Sequence, residues 1–578
     1  MNRPANRAVR SFIAGALIGV LLGGGLGVAA GAELLIHHPN FAARLRAALA
    51  PASTASAIAP GSLGDVVIRA EASGAGSPIS PFIYGVAGAD GATLRALGAT
   101  VDRWGGNPST RYNWVNGHSW NAARDWEFRN TNYGNPAVSV ADAFVAEAVA
   151  AGAVPLITIP SIGYVAGNDD NNTRSAGVPA QGGPPVASGS SAIAGYDPAA
   201  NRRLTSVVSL PTKPGPLTVA EPADSKVVYQ DEWVHELRQR FGAAPKGVGY
   251  FAIDNEPDLW SVTHTDVHPV RMSYADMLSN YELYARAVKA QDPSALLLGP
   301  DVSGWTGYFY SDLDRGNDNF ATHADRTAHA GQPFLPWWLG QVARADQVRG
   351  VRSLDLLDVH YYPQGQGVFS SAADPATQAL RIRSVRSLYD TTYTDESWIA
   401  TPVQLIPRLK QWIAQEYPGT GIAISEYNWG GEKDASGAVA LAEVLGTYGR
   451  EGVTLATYWT YPPPASPAGA AFRLYRNFDG KGAAFGDISI PVTSSQAGVT
   501  AFASRHSDSH EMDVVLVNET ADQTATVHLD LGFGGTHVAT EFQVAAGSST
   551  ITRSPLADPT QTIALPPYSI SLIQVVQS

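Results

Sequence analysis

Short apolar runs rich in β-branched and aromatic residues recur between residues 82 and 459, and longer stretches with helical spacing follow several of them. A short unbroken apolar run is typical of a strand buried on both faces of a parallel sheet. The helical patterns cover residues 139–151, 231–241, 274–291, 402–416 and 436–449. The eight strand-like runs are residues 82–86, 100–104, 154–159, 248–253, 295–299, 354–360, 421–425 and 453–459. Because parallel strands need crossover helices, this alternation predicts an α/β fold, a (β/α)₈ TIM barrel over residues 82–462.

The pattern changes after residue 462. Short stretches of alternating polar and apolar residues, such as 513–517, 525–529 and 569–573, are separated by Gly, Asn and Ser. Alternation with frequent turn residues predicts antiparallel strands. The strand-like segment 65–70 precedes the barrel and can pair with these strands. We therefore expect an additional antiparallel β-sandwich domain made of residues 63–81 and 463–578.

The amino terminus has the pattern of an export segment. Arginines at positions 3, 7 and 10 precede the uncharged apolar stretch 11–32, so residues 1–32 are interpreted as a signal peptide or a membrane anchor. The stretch is long enough to span a bilayer, whereas Ala30-Gly31-Ala32 resembles a cleavage site. Residues 33–62, rich in Ala, Pro, Ser and Thr, are expected to form a disordered stalk. Either interpretation predicts an exported protein, secreted or anchored to the outer face of the cytoplasmic membrane.

Composition narrows the possible partners. The chain has 578 residues, a formal net charge of −13 and no cysteine. The negative charge and the small number of lysines argue against nucleic acid or an anionic membrane surface as the main partner. The absence of cysteine excludes disulfides, thiolate metal sites and cysteine nucleophiles. A neutral, hydroxyl-rich ligand fits this composition better.

Two carboxylates follow predicted barrel strands. Glu256 follows the run 248–253 and is itself followed by Pro257, while Glu426 follows the run 421–425. Active sites of α/β barrels form at the carboxyl ends of the strands, so both side chains should project into one mouth. Paired carboxylates across a cleft are what glycosidic bond cleavage needs, one as acid and the other as nucleophile or base.

These residues also carry a resemblance to a known family. Asn255-Glu256-Pro257 together with Glu426 resembles clan A glycoside hydrolases, and longer stretches resemble glycoside hydrolase family 44. Those stretches are residues 103–107, 111–114, 158–160, 228–233, 263–269, 395–399 and 475–480. The resemblance covers nearly all of the chain after the stalk. It implies a retaining endo-β-1,4-glucanase, often with xyloglucanase activity, in which Glu256 is the acid/base and Glu426 the nucleophile.

Further site residues follow from their positions at strand ends. Asn255 is expected to hydrogen-bond the sugar 2-hydroxyl, and Arg103 and Tyr361 to hold the charge of the nucleophile. Asn107 and His360 are further expected substrate-binding residues. Indole rings make good platforms for the flat C–H faces of sugars. We expect Trp459 to form the floor of the site, and two of the four tryptophans at positions 120, 260, 305 and 429 to bind sugar rings.

No cofactor is expected for this chemistry. Residues Asp169-Asp170-Asn171-Asn172 are oxygen-rich, so structural Ca²⁺ is possible there, with a solvated loop as the alternative, since the spacing matches no EF-hand loop. Two other functions stay open, an endo-β-mannanase or xylanase of the same clan and a non-catalytic glycan-binding protein. The presence of both glutamates argues against the binding protein, because binding alone does not need them. The expected partner is a β-glucan polysaccharide, and the protein is expected to be a monomer.

Overall fold

The computed structural model describes residues 61–72, 74–120, 130–132, 140–167, 206–264, 267–532, 537–557 and 562–577. The predicted signal peptide or anchor, most of the predicted stalk and the oxygen-rich segment 169–172 lie outside these residues. Within the described ranges, no helix combines the length and the apolar character that crossing a membrane requires.

The strands are numbered in chain order. They are β1 Gly61–Ala70, β2 Ser77–Pro78, β3 Gly85–Ala87, β4 Val101–Trp104, β5 His118–Trp120, β6 Asn130–Asn132, β7 Val154–Ile159, β8 Tyr164–Ala166, β9 Ser206–Leu210, β10 Val227–Tyr229, β11 Tyr250–Ile253, β12 Leu296–Val302, β13 Leu356–Tyr361, β14 Gly421–Tyr427, β15 Leu455–Tyr458, β16 Ile488–Ile490, β17 Val492–Ser494, β18 Val499–Arg505, β19 Glu511–Asn518, β20 Gln523–Asp530, β21 His537–Val544, β22 Thr552–Leu556, β23 Ile563–Leu565 and β24 Ile570–Gln577.

The helices follow the same convention. They are α1 Gly91–Leu97, α2 Val140–Ala151, α3 Gln230–Phe241, α4 Trp260–Thr263, α5 Tyr274–Gln291, α6 Trp305–Phe309, α7 Asp312–Arg315, α8 Ala324–Ala328, α9 Phe334–Arg349, α10 Pro375–Arg383, α11 Leu405–Glu416, α12 Ala435–Arg450 and α13 Pro467–Arg476. Local sequence fixes their ends. Ser273 and Asp276 form a capping box at the start of α5, and Gly350, with a φ of 69°, ends α9. Helix α9 was not predicted from the sequence, because Pro336 interrupts its helical pattern. Proline is nevertheless tolerated at this position, since it lies in the first turn of the helix.

The predicted barrel is confirmed. Strands β3, β4, β7, β11, β12, β13, β14 and β15 close into a parallel barrel in that order, and each overlaps one of the eight predicted runs. The predicted sandwich is also confirmed as a separate unit of two sheets, β17-β1-β20-β23 and β2-β16-β18-β19-β24-β21-β22. Most of its neighbouring strands are antiparallel, but β1 pairs with β20 in parallel.

Two boundaries differ from those expected. The barrel does not end at residue 462, because α13 packs against α12 and the Tyr475 hydroxyl donates a hydrogen bond to the Ala442 carbonyl at 2.9 Å. At the other end β1 begins at Gly61, so residues 61 and 62 belong to a strand and not to the stalk. Both differences arise where glycine and proline obscured the periodic pattern.

Alternate residues of each barrel strand point into the barrel and away from it. The inward residues at the amino-terminal end are apolar and form a small core of their own. They are Val101, Leu156, Tyr250, Ala252, Leu298, Leu356, Ala423 and Leu455. The inward positions nearer the carboxyl ends are polar, as in β13, where Leu356 is followed by Asp358 and then His360, all buried. The interior therefore has an apolar floor beneath a polar upper layer.

The regular strand register is interrupted in the upper layer. Between β12 and β13 the pairing passes from Pro300 with Asp358 to Val302 with Val359, which leaves Asp301 as an extra residue. The pairing of β13 with β14 shifts again just before His360 meets Glu426. Such bulges re-aim side chains beside active sites. Here they bring carboxylates from neighbouring strands into the mouth of the barrel.

Candidate active site

Glu256 stands on a sharp turn that follows β11. Asp254 and Glu256 have φ angles of 67° and 46°, and Pro257 starts a short 3₁₀ helix at Pro257–Leu259. The Asp254 carboxylate holds this turn, because it accepts hydrogen bonds from the backbone N–H groups of Ser161 and, at 3.1 Å, of Ile162. The turn directs the Glu256 side chain into the barrel mouth, where 16% of it is exposed to solvent.

Glu426, near the end of β14, is held from two sides. Nη1 of Arg103 donates to its Oε1 at 2.6 Å, and the Tyr362 hydroxyl donates to its Oε2 at 2.7 Å. Charge-assisted bonds of this kind fix the orientation of the carboxylate. One carboxylate oxygen of Glu256 and one of Glu426 lie within 4.8 Å of each other. The two glutamates therefore stand side by side at the carboxyl ends of β11 and β14.

Arg103 links Glu426 to Asn255. Its Nη2 donates to Oδ1 of Asn255 at 2.9 Å, and the Gly106 N–H donates to the same oxygen at 3.1 Å. Both groups are donors only, so the amide oxygen must face them and the NH₂ group faces away. That NH₂ group has no hydrogen-bond partner among the described residues.

The pair Gly105-Gly106 is explained by close approach. A Cβ atom on Gly105 would lie 2.4 Å from the guanidinium carbon of Arg103, and one on Gly106 would lie 2.4 Å from the Trp459 ring. Gly106 also has a φ of 87°, which favours glycine. Larger residues at either position would displace Arg103 or Trp459 from the site.

His360 lies at the centre of the cluster and is fully buried. Its Nδ1 is 2.9 Å from Oε1 of Glu256 and 3.5 Å from Oε2 of Glu426. Its Nε2 is 2.5 Å from Oδ1 of Asp301, whose other oxygen is 3.4 Å from Nη2 of Arg103. Asp358, two residues before His360, turns instead to Ser425 and accepts from its N–H and its hydroxyl at 3.1 and 2.7 Å.

Burial and charge set the acid strength of two of these groups. Burial raises the pKa of Glu256 to about 7, against the opposing effect of its contact with His360. Burial alone would lower the pKa of His360, but the carboxylates of Glu426, Asp301 and Glu256 outweigh it and hold this pKa well above its ordinary value. At neutral pH the site therefore contains an imidazolium, and Glu256 is poised to lose or accept a proton.

Comparison with known proteins agrees with this geometry. The model for glycoside hydrolase family 44 matches residues 119–365. Endoglucanase A of Paenibacillus lautus is 31% identical over 525 residues, which are 85% of this chain and 70% of that protein. The chain belongs to glycoside hydrolase family 44.

Solved structures resemble this family 44 enzyme over most of its length. CelM2, a bifunctional glucanase-xylanase from a metagenome library, is 35% identical with a TM-score of 0.78, covering 89% of this chain and all of that one. A Paenibacillus polymyxa family 44 xyloglucanase solved with xyloglucan is 29% identical, with the same TM-score and coverage. The Beta-mannanase/endoglucanase A of Caldicellulosiruptor saccharolyticus is 31% identical over 78% of this chain, which spans only 34% of that longer protein. The chain is thus a glycoside hydrolase.

The role expected of one site residue of the family 44 enzyme is taken by the next residue in the chain. Tyr361 was expected to hold the charge of Glu426, but its ring packs in the core outside the barrel, 5.6 Å from the Trp429 ring. Tyr362 makes the bond instead. The reason is strand alternation, because His360 points inward and its neighbour must point outward.

Trp429 is also placed differently from the expectation. It is 3% exposed and its indole N–H donates to the Ser384 hydroxyl at 3.0 Å, so it fills the core between barrel and helices and offers no face to a sugar. Trp260 is likewise buried and donates to the Asn255 carbonyl at 3.1 Å. Trp305 is half-buried against Arg408 and Phe309. The side chain of Trp120 lies outside what the structure describes.

The remaining predicted residues lie at or near the mouth. Trp459 packs against Tyr362 and Ala87, with Arg103 5.7 Å from its ring centroid. Asn107 is half-buried in the turn that follows β4. Asp301 was not predicted, although it follows the run 295–299 as the two glutamates follow theirs. An acidic residue just after an apolar run was the signal that could have identified it.

Two clusters among the described residues combine a histidine with two carboxylates. In the first, Glu256, His360 and Glu426, both imidazole nitrogens already face carboxylates and Arg103 supplies a positive charge, so a metal cation is a poor fit. The second, in the sandwich, is His506, Glu511 and Asp513, whose Oδ2 is 2.9 Å from Nε2 of His506. We interpret that contact as an ion pair beside the turn that joins β18 to β19.

Proposed function

We propose that this enzyme is a retaining, endo-acting glycoside hydrolase that cleaves β-1,4-glucan backbones, including xyloglucan, by double displacement. The observation that carries the proposal is the distance of at most 4.8 Å between carboxylate oxygens of Glu256 and Glu426. Retaining enzymes hold their two carboxyl groups about 5 to 5.5 Å apart, whereas inverting enzymes leave about 6.5 to 9.5 Å for a water molecule. The family membership and the xyloglucanase neighbour support the choice of substrate.

In the first step Glu426 attacks the anomeric carbon while Glu256 protonates the departing glycosidic oxygen. Arg103 and Tyr362 hold the attacking carboxylate in place, so little reorganisation is needed when the covalent bond forms. The raised pKa of Glu256, about 7, leaves this group protonated when the substrate arrives. The two glutamates thus differ in role because their neighbours differ.

In the second step water displaces Glu426 and gives its proton to Glu256. The covalent bond removes the negative charge of Glu426, which favours the ionised form of Glu256 and makes it a base. The free NH₂ group of Asn255 faces away from Arg103 and Gly106, and we place the sugar 2-hydroxyl beside it. A bond there strengthens in the transition state.

Product stereochemistry and trapping test this mechanism directly. Proton NMR during hydrolysis of a cello-oligosaccharide should show the β-anomer appearing first, and a 2-fluoro glycoside should label Glu426, as found by peptide mass spectrometry. Glu256→Ala should regain turnover of an activated aryl glycoside when azide is added, with a β-glycosyl azide as product. First appearance of the α-anomer would exclude double displacement.

An endo-β-mannanase or xylanase activity is the second candidate, because the names of two relatives include those activities. The chain spans only 34% of the mannanase/endoglucanase, so that name does not tie mannanase activity to the matching part. Release of reducing ends from xyloglucan, carboxymethyl cellulose, mannan and xylan would separate the candidates. We expect the two glucans to be the best substrates, and no release from any of the four would favour a glycan-binding protein.

We further propose that the enzyme acts outside the cytoplasm, as a monomer and without a cofactor. The arginines before the apolar stretch 11–32 support export, and the proposed chemistry needs only carboxyl groups and water. Amino-terminal sequencing of the mature protein would distinguish a cleaved signal from an anchor. Activity should survive dialysis against EDTA, whereas a lower melting temperature after dialysis would indicate structural Ca²⁺.

A further inference from the structure

Asp301 has no role in the mechanism above, yet it is among the most completely buried charged residues of the barrel. Its side chain is 0% exposed, and it is the extra residue of the β12 bulge, with a φ of 56°. A non-glycine residue with positive φ costs backbone free energy, and strain of this kind tends to occur at functional sites. The bulge turns the carboxylate towards His360.

The contacts of His360 define its protonation state. Nε2 lies 2.5 Å from a carboxylate oxygen of Asp301, and an unprotonated nitrogen would be repelled by an anion at that distance, so we assign a proton to Nε2 and describe the contact as an ion pair and not as a linear hydrogen bond. Nδ1 lies 2.9 Å from Glu256 and 3.5 Å from Glu426. A carboxylate oxygen on that side can accept a hydrogen bond from Nδ1 only when Nδ1 carries a proton as well.

The charges of Arg103, Asp358 and Asp301 also act on His360. Arg103 approaches Nε2 to 3.4 Å from β4 and is balanced by Glu426 and Asp301. Asp358, on the same strand as His360, has a pKa raised by burial to about 7 and turns to Ser425. For Asp301 burial favours the neutral form, but the charges of His360 and Arg103 outweigh it and lower its pKa. Asp301 is therefore the permanent anion on the far side of the imidazole.

We propose that Asp301 is a positioning residue that keeps His360 doubly protonated, so that Nδ1–H donates to Oε1 of Glu256 and leaves Oε2 to carry the catalytic proton. The inference rests on the proposed role of Glu256 as acid/base. When the glycosidic bond breaks, the Oε2–H proton passes to the leaving oxygen and its electron pair stays on Glu256. His360 keeps both protons, and its hydrogen bond stabilises the new carboxylate. In the second step the same oxygen takes the proton from water.

The alternative state shows why Asp301 matters. If His360 were neutral with its lone pair on Nδ1, Glu256 would donate its proton to His360 and not to the glycosidic oxygen. Asp301→Asn removes the anion that prevents this. We expect the loss of activity to reach about 10- to 100-fold on glucan polymer, part of the roughly 10²- to 10⁴-fold contribution of general acid catalysis.

The substrate dependence of that loss is the decisive readout. A 2,4-dinitrophenyl cellobioside needs little help from an acid, so Asp301→Asn should lower its kcat/KM far less than that of the polymer. Loss of the imidazolium charge also raises the pKa of Glu256, so the alkaline limb of kcat/KM on polymer should move to higher pH. An equal loss on both substrates with an unmoved alkaline limb would overturn the proposal.

A matched control separates this role from simple burial. Asp358→Asn changes an equally buried carboxyl group in the same layer of the barrel, two residues before His360. Because Asp358 bonds to Ser425 and acts on His360 only through space, this variant should move the alkaline limb less than Asp301→Asn does and lose activity equally on both substrates, if at all. Melting temperatures of both variants would show that they are folded.

One measurement needs no Asp301 variant. In wild-type enzyme labelled with ¹⁵N-histidine, both ring nitrogens of His360 should give protonated signals at pH 7, with His360→Gln used to assign them. A neutral-type signal from either nitrogen at pH 7 would overturn the proposal. If azide failed to rescue Glu256→Ala while His360 stayed doubly protonated, the assignment of Glu256 would be at fault and not the role of Asp301 in charging His360.

Discussion

The two ends of the barrel interior are built from the same strands but have opposite character. At the amino-terminal end the inward side chains, such as Leu298 and Leu356, are apolar and buried. Two or more residues further along the same strands, Asp301, Asp358 and His360 are just as deeply buried but polar or charged. The apolar floor is stable when its side chains pack with complementary shapes. The upper layer is stable only when each buried charge is balanced by an opposite one.

The difference shows where the barrel gains stability and where it gains chemistry. Burial of apolar side chains contributes roughly 25 cal/mol per Å². Buried charges cost free energy unless they are paired, so the upper layer is stabilised only through mutual contacts such as those of Arg103 with Glu426 and Asp301. The same low-dielectric surroundings that make these charges costly shift the pKa values on which catalysis depends.

Glu426→Gln should produce the largest effect on the upper layer. We expect the rate on glucan to fall by about 10⁴-fold or more, because the proposed nucleophile is lost, and the melting temperature to fall as well, because Arg103 loses a buried charged partner. Initial rates of reducing-sugar release and thermal unfolding would be compared. An enzyme that keeps a near-normal rate would break the assignment of chemistry to this end of the barrel.

Leu298→Ala tests the floor, three residues before Asp301 on the same strand. The variant should lose about 2 to 5 kcal/mol of unfolding free energy, since a cavity replaces a fully buried side chain. The folded fraction should keep a normal kcat. Urea denaturation gives the stability and active-site titration gives the rate per folded molecule. A changed pH profile in this variant would show that the two layers are coupled.

Tyr362→Phe and Tyr361→Phe form a matched pair of neighbours at the carboxyl end of β13. The first removes the hydrogen bond to Oε2 of Glu426, a bond to a charged group worth about 1.5 to 3 kcal/mol, so kcat/KM should fall roughly 10- to 100-fold. The second removes a hydroxyl in the core outside the barrel and should leave kcat/KM within about twofold of the wild type. The opposite ranking would contradict the inward and outward assignment of the two rings.

The smallest effect is expected from pH. Because burial raises the pKa of Glu256 to about 7, kcat/KM should fall above pH 7 by about tenfold per unit as the acid loses its proton. A group whose pKa is raised on folding stabilises the fold most at low pH, and that contribution is lost as pH rises through 7. Leu298→Ala should share the wild-type activity profile, whereas replacement of Glu256 should remove its alkaline limb.

Much of the barrel and part of the site could be predicted from sequence. The eight apolar runs located the strands, and Glu256 and Glu426 were recognised because each follows one within three residues. The role predicted for Tyr361 was wrong because the sequence does not show which of two neighbouring residues in a strand points into the barrel. Trp429 was placed in the site because it follows a strand, but it packs outside the barrel. Asp301 was missed although only Pro300 separates it from its run, because the bulge that turns it towards His360 has no signal in the sequence.

By itself the sequence determined the order of strands and helices and the placing of acidic residues at strand ends, because these depend on local periodicity and turn residues. Only the tertiary structure decided which side chains meet. The bulges on β12 and β14 each add a residue, and the extra residue changes the side of the sheet to which the following side chains point. The charge state of Glu256 and His360 depends on burial and on partners distant in the sequence, since these two residues are themselves 104 positions apart. No local pattern carries that information.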